Sequence, residues 1–383
     1  MMRGDGGDPV LNGETIGDRL AALHDDMQSD PLLSGISRVA AALYEPARDL
    51  VKTFIHATEG DNPLGSVAMP LAQTPILREI LASGEPRVFD DIETTPGAAG
   101  EISRSLLRGG FRSRLVAPII HKGAPFGVLF FNAHNPGYFT QDVMAALRPH
   151  MRAIAMMLIH QRAMIRTMLA AVRTARAIGH HRDEETGEHL ERMARYAQLI
   201  AEKLAASHGL SDEFIEYLFQ YAPLHDIGKV AVPDGILMKP GKLTAAEYEV
   251  MKTHVVKGEE IIDVMQRDIG LSELPYAELL RNVVGGHHEA LDGSGYPRGL
   301  KGGDIPMGAR ITAVADVFDA LTSARPYKEP WSNQAALTHL RNLAGRVFDP
   351  DCVEALAESM DQVLEIQAQF VDQPQAASLD YLT

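Results

Sequence analysis

Hydrophobic and polar positions repeat with different periods along this chain, and the change of period divides it. From Ile16 to about Tyr44 the pattern is largely helical, and Pro46 is expected to end it. Short β-like runs follow at Leu50 to His56, Arg87 to Phe89, Ser113 to Ile120 and Gly127 to Asn132. Turn-forming segments separate them, among them Gly60-Asp61-Asn62, Gly84-Glu85-Pro86 and Lys122-Gly123-Ala124-Pro125. Strands mixed with helices predict an α+β domain with an antiparallel sheet. A long helical pattern runs from about Thr140 to Ile178, with Pro149 as the place for a kink. Within it Met151, Ile154, Leu158, Gln161, Ile165, Met168, Val172 and Ala175 step by three and four residues, which is an a/d seam. A parallel dimeric helix between two domains produces such a seam, and so does an amphipathic helix buried against its own domain. The seam holds no Gly or Pro and lies between two domains, which favours the dimer. From Glu184 onward the pattern is nearly all helix, with loops at 231–243 and 289–309. Thr244 with Glu247 reads as a capping box at a helix start. Residues 1–15 and the tail after about 368 read as loose.

Length and charge narrow the picture. A chain of 383 residues is too long for one comfortable core and suggests two domains. The net charge of −15, with no basic run, argues against a nucleic-acid partner. Cys352 is the only cysteine, so neither an internal disulfide nor a thiolate cluster can form, which fits a reducing, cytoplasmic setting. The first residues lack a signal-peptide pattern, and no apolar stretch is long enough to span a bilayer. A soluble protein without a membrane partner is expected.

The stretch RSRLVAPIIHKGAPFGVLFFNAHNPGYFTQDVMAAL resembles the end of a GAF domain, and the resemblance covers roughly residues 30–160. It implies a sensor for an unnamed small molecule or signal, with regulatory protein partners open. No cysteine lies in this region, so a thioether-linked bilin is excluded. His56, His121 and His134 read as ordinary surface or strand histidines.

The second half carries the chemistry. Glu185 and His189 stand at i and i+4 in EETGEH, so on a helix they share a face. His225 and Asp226 are adjacent in LHDIGK, His254 lies in MKTHVVKG, and His287 and His288 are adjacent in GGHHEA. Asp316 sits in the apolar run AVADVFDAL, where a lone carboxylate would be costly to bury. Neutral imidazoles and carboxylates suit borderline divalent metals, and a metal compensates a buried carboxylate. Adjacent pairs can flank two ions, as two-metal hydrolases require.

HDIGK, the downstream HHE, DGSGYP and AVADVFDALTSARPYK together resemble the HD-GYP domain of the HD phosphohydrolase superfamily, over about residues 170–365. The resemblance implies two or three divalent ions, iron or manganese, and cleavage of cyclic di-GMP to pGpG and on to GMP. It implies His189, His225, Asp226, His254, His287, His288 and Asp316 as ligands, with Glu185 at the position that serves a third metal. Lys229 completes HDxGK; an ammonium there can bind a phosphate oxygen, though a solvated surface lysine reads the same way. Asp226 and Lys229 are therefore the catalytic candidates. Gly293 and Gly295 let backbone approach a ligand, and Tyr296 is the candidate for packing on a guanine; alternatively, the loop is a turn that only positions His287 and His288. Arg325 and Lys328 resemble cationic substrate contacts. Asp319, one turn past Asp316, either orients a ligand or Lys229 or is a surface charge. Ala290 and Leu291 stand where many members have a basic and then an aromatic residue.

The expected architecture is an α+β GAF-like N-terminal domain (16–145) joined by a long linker helix (146–180) to an all-α HD-type metal-dependent hydrolase domain (181–368). The expected activity is a GAF-regulated phosphodiesterase acting on cyclic di-GMP, as a homodimer through the linker helix. Two other readings stay open: a catalytically silent cyclic-dinucleotide receptor, and a phosphodiesterase for another dinucleotide such as cyclic GMP-AMP.

Overall fold

In the computed structural model, which describes residues 15–65, 67–95, 100–178, 187–268, 276–323 and 329–371, the chain divides into two units, Met1–Arg166 and Thr167–Thr383. The expected loose start, and the tail beyond residue 371, lie outside the described residues.

Unit 1 begins with a capping box. Thr15 Oγ accepts the N–H of Asp18, and the Asp18 carboxylate accepts the N–H of Thr15, which starts α1 (Ile16–Gln28). The helix stops at Gln28, far short of Tyr44. The segment read as its continuation is a strand, β1 (Ile36–Glu45). Its Val-Ala-Ala-Ala-Leu run is buried along nearly its whole length because β1 lies inside the sheet. A strand buried on both faces shows no alternation and mimics a buried helix. The sheet continues with β2 (Leu50–Thr58), β3 (Ala68–Pro70), β4 (Arg87–Phe89), β5 (Ser113–His121) and β6 (Ala124–Ala133), in the order β3-β2-β1-β6-β5-β4. All pairings are antiparallel. The three-residue β3 carries no readable period, and the sequence pattern missed it.

Helices α2 (Pro75–Ser83) and α3 (Glu101–Arg108) complete this unit's cover. Leu77, Ile80 and Leu81 of α2 pack with Ala40, Val116, Val128 and Phe130 of the sheet. Each such fully buried aliphatic or aromatic side chain is worth roughly 1.5–3 kcal/mol of transfer free energy. The long helix α4 (Gln141–Ile178) contains Pro149, as expected. Ile154, Leu158, Gln161, Ile165 and Met168 of the seam are buried within the single chain. Val172 and Ala175 of the seam lie outside the described side chains, and among the described ones Met156 of this helix is exposed.

Among the described residues unit 2 is built of helices, with one isolated β-bridge between Ala344 and Phe348. Its elements are α5 (Gly187–His208), α6 (Asp212–Tyr221), α7 (Asp234–Leu237), α8 (Ala245–Lys252), α9 (His254–Asp268), α10 (Ala277–Gly286), α11 (Met307–Thr322), α12 (Asn333–Leu343), α13 (Pro350–Glu358) and α14 (Met360–Gln369). The capping box of Thr244 and Glu247 opens α8. Tyr196, Tyr217, Tyr221 and Phe318 are its largest fully buried side chains. Among the described residues, no helix is long and apolar enough to cross a membrane.

Candidate metal centre

Five segments of unit 2 deliver side chains to one place. His189 lies in the first turn of α5, and His254 is the first residue of α9. His225 and Asp226 lie between the short 3₁₀ turns Ala222–Leu224 and Ile227–Ala231. His287 and His288 follow the last turn of α10, and Asp316 and Asp319 lie on α11. Glycine makes the close approach feasible. A Cβ on Gly228 would collide with the carbonyl of His254, and one on Gly258 would collide with Val284. The HDIGK turn, α9 and α10 can thus pack almost backbone to backbone.

The donors form two adjoining groups. Asp226, His254, His287 and His288 make one; His189, His225 and Asp316 make the other, and within each the ligand atoms lie within 4.8 Å of one another. Asp226 links them. Its Oδ1 is 3.0 Å from His254 Nε2 and 3.6 Å from His287 Nε2, while its Oδ2 is 3.2 Å from His225 Nε2 and 2.7 Å from Lys229 Nζ. Asp316 Oδ1 stands 3.8 Å from both His189 Nε2 and His225 Nε2.

Hydrogen bonds on the far side of each ring fix which nitrogen faces inward. The Nδ1–H of His225 donates to Ala222 O (3.0 Å), that of His254 to Met251 O (2.7 Å), and that of His287 to the Val283 and Val284 carbonyls (3.1 and 3.0 Å). His189 Nδ1–H donates to Asp319 Oδ2 at 2.7 Å. All four rings therefore turn an Nε2 lone pair toward the centre. In this tautomer the short His254–Asp226 approach is not a hydrogen bond, because two lone pairs face each other. His254 Nε2, His287 Nε2 and Asp226 Oδ1 are buried without a hydrogen-bond partner among the described residues. Buried acceptors arranged this way fit divalent cations. Burial, offset for His287 by Asp226, pushes His287 and His288 down and keeps both rings neutral, the ligating form. Burial works against the Asp226 carboxylate, but the Lys229 ammonium outweighs it and holds its pKa well below the ordinary value.

Asp319 is fully buried behind His189. Besides His189 it accepts Arg192 Nε–H (2.7 Å) and Nη2–H (2.9 Å) and the Ser323 hydroxyl (2.9 Å). Burial raises its pKa, and the hydrogen bonds from His189 and Arg192 overcome that, so it stays ionised. Asp319 is thus not a surface charge: it is buried and holds His189, one of the ligand candidates. Arg192 also donates to the carbonyl of Phe370 (2.8 Å), which ties the end of the domain to the site. Sequence reading passed over Arg192; its position three residues after His189 was the only signal.

The loop after α10 is pinned by Glu289, the acidic residue of HHE, also passed over. Its buried carboxylate accepts the N–H groups of Arg298 (2.8 Å) and Leu300 (2.9 Å). Tyr296 stacks on His288 with ring centroids 4.7 Å apart. Lys252 Nζ lies 5.6 Å from the Tyr296 ring centre. Gly293 has φ +82°, and a Cβ there would strike Lys301; a Cβ on Gly295 would strike the backbone of residues 288–290. Both glycines thus serve the loop's own packing. Glu185, Arg325 and Lys328 lie outside the described residues.

With this geometry in view, two families match the chain. Residues 19–158 match the GAF domain and residues 182–352 the HD domain. The chain therefore carries a GAF domain followed by an HD domain. Over 199 residues it is 50% identical to the cyclic di-GMP phosphodiesterase response regulator RpfG of Xanthomonas campestris pv. campestris, covering 52% of this chain and 49% of that protein. Over 191 residues it is 43% identical to 3′3′-cGAMP-specific phosphodiesterase 2 of Vibrio cholerae, covering 50% of this chain and 34% of that protein. Over 189 residues it is 40% identical to a cyclic di-GMP phosphodiesterase of Thermotoga maritima, covering 49% of this chain and 48% of that protein. The chain spans about half the length, or less, of these relatives.

Proposed function

We propose that this protein is a metal-dependent phosphodiesterase of the HD-GYP type that hydrolyses cyclic di-GMP under the control of its GAF domain. The observation that carries the reading is Asp226, buried between two histidine-rich donor groups with Lys229 on its outer oxygen. His254, His287, His288 and Asp226 would hold one ion; His189, His225 and Asp316 would hold a second beside it. Glu185 is the residue proposed for a third. Sulfur-free ligation favours iron or manganese. Such ions, when bound, lower the pKa of a water and neutralise phosphate oxygens.

The chain's own residues do the rest. Lys229 offers an ammonium to a phosphate oxygen and to the charge that grows in the transition state. Asp319 and Arg192 keep His189 in one tautomer and one orientation. Glu289 holds the loop of Gly293, Gly295 and Tyr296 against His288, where Tyr296 borders the substrate. Arg325 and Lys328 are proposed as further phosphate contacts. Homodimerisation through an exposed face of α4 belongs to the proposal and is tested by the mass in solution.

The test is turnover of cyclic di-GMP by protein purified without oxygen and loaded with iron or manganese. Metal-dependent pGpG or GMP is expected, absent from a His225→Ala, Asp226→Ala variant. Bound metal and bound dinucleotide without turnover would replace the enzyme by the receptor reading. The 43% identity to a 3′3′-cGAMP-specific enzyme favours one second reading, in which one guanine is an adenine. Competition between the two dinucleotides separates them by the ratio of kcat/KM.

A further inference from the structure

The sheet of unit 1 buries a row of hydrogen-bond donors that lacks an acid. Arg38 on β1 stands opposite Asn132 on β6, and Asn132 stands opposite Arg114 on β5. Directly opposed residues share a face, so the three side chains form one line across the middle of the sheet. The next row on that face is Ala40, Phe130 and Val116, the apolar floor beneath α2.

Few acceptors meet this row. Arg38 Nε–H donates to Asn62 Oδ1 (3.1 Å) and Nη1–H to Asn132 Oδ1 (3.3 Å). Asn132 Nδ2 and Arg114 Nε are buried and have no hydrogen-bond partner among the described residues. The Arg114 guanidinium lies 4.5 Å over the Phe130 ring. No carboxylate among the described residues pairs with either arginine, although the chain as a whole carries a charge of −15. Burial lowers Arg38 to about 10; burial and then Arg38 lower Arg114 to about 9. Arg38 is buried and Arg114 half-buried; an uncompensated buried cation is costly, and a second one beside it adds to the cost.

Arg114 is also a wall of a cavity of about 420 Å³, within the usual range for small-molecule sites. Met69, Leu77, Ile80, Phe89 and Ile102 give it an apolar lining. The first turn of α3, which has no side-chain cap among the described residues, forms another wall. Glu101, on that turn, also borders the cavity; it is exposed, and among the described residues it makes no ion pair with Arg114.

We infer that this cavity binds a small organic anion, its acidic group on Arg114 at the end of the Arg38–Asn132–Arg114 row and its apolar body among Phe89, Ile102 and Leu77. The acid supplies the charge and acceptors that the row lacks, and the cavity excludes polar molecules without an apolar part. The assignment does not depend on the chemistry of the metal centre.

Two dyes with the same rings test it. 8-Anilinonaphthalene-1-sulfonate carries an anion, and N-phenyl-1-naphthylamine does not. Fluorescence titration of the full chain should show one saturable site for the sulfonate. Arg114→Met should weaken the sulfonate roughly tenfold or more and leave the neutral dye unchanged. Equal affinities of parent and variant for the sulfonate, or an equal loss of both dyes, would overturn the assignment. Arg114→Met without dye should melt no lower than the parent, because an uncompensated charge has been removed. A lower melting point would make the guanidinium a structural element and overturn the anion site. Ile102→Trp, which fills the cavity, should exclude both dyes; sulfonate binding that survives it would place the site elsewhere.

Discussion

Among the described residues, each half of this protein holds a buried cluster of polar atoms that no neighbour satisfies, and the two clusters have opposite sign. In the sheet of unit 1 the clustered atoms are donors, Arg114 Nε and Asn132 Nδ2, on a row with two guanidinium groups. At the metal centre of unit 2 the clustered atoms are acceptors, His254 Nε2, His287 Nε2 and Asp226 Oδ1. Folded interiors satisfy nearly all buried polar groups. A cluster of unsatisfied donors therefore awaits an anion, and a cluster of unsatisfied acceptors awaits a cation. The sign of the deficit, more than the fold around it, tells the ligand class apart.

The sharpest attempt to break this contrast is the His225→Ala, Asp226→Ala variant. Metal binding and turnover should vanish, while sulfonate-dye binding in unit 1 stays at the parent level. Metal analysis and the dye titration on one preparation check both halves, and a dye affinity that falls with metal content would end the claim of two independent sites. Asp319→Ala should act next most strongly. Loss of the group that orients His189 should weaken metal binding about 10–100-fold. It also leaves the buried Arg192 without its carboxylate, at a cost of about 3–5 kcal/mol in a urea titration. Unchanged metal affinity would show that the Phe370–Arg192–Asp319 chain braces the helices and not the ligand.

The anionic deficit can be filled from inside. Asn132→Asp changes no volume and sets a carboxylate between Arg38 and Arg114. The amide group it removes has no partner to lose. We expect a gain of about 1.5–3 kcal/mol, the value of a hydrogen bond to a charged group, and a weaker sulfonate dye. The two guanidinium groups would depress the new carboxylate's pKa, so the gain is full above the ordinary aspartate range and fades as pH falls below it. A variant less stable than its parent near neutral pH would mean that the row is already compensated.

Much of this was legible in the sequence because the signals are local. Arg87 to Phe89 reads as a strand and is β4, and Thr244 with Glu247 reads as a capping box and opens α8. The metal-centre candidates among the described residues were legible as motifs, and the fold brings His189, His225, Asp226, His254, His287, His288 and Asp316 into the two donor groups. What stayed hidden is long-range. Ile36–Glu45 lost its strand period because both faces are buried. Arg192 gains its meaning from Asp319, 127 residues away, and Glu289 from two backbone N–H groups in a loop that sequence alone does not fold. Arg38, Asn132 and Arg114 are ordinary strand residues until the register sets them side by side.

The smallest effect belongs to a group whose partners are all protein. Glu247 accepts the Thr244 N–H (2.7 Å) and both of its oxygens take the Lys239 ammonium (2.8 and 2.6 Å), at an exposed helix start. The Lys239 hydrogen bond first, and the Thr244 bonds after it, lower its pKa from 4.5 to about 2. A depressed carboxylate contributes stability above its unfolded pKa and loses it as pH falls through the folded one. Glu247→Gln should therefore be slightly less stable than the parent near neutral pH, and the difference should shrink between pH 4.5 and about 2. Solvent screens an exposed pair, which keeps the effect small. Metal content and dye affinity should not move, since nothing at this position is left for a ligand to satisfy. Melting the two proteins side by side across that pH range checks the sign. A gap that widened in acid would show that Glu247 is held by burial, and would place it with the two buried clusters instead of apart from them.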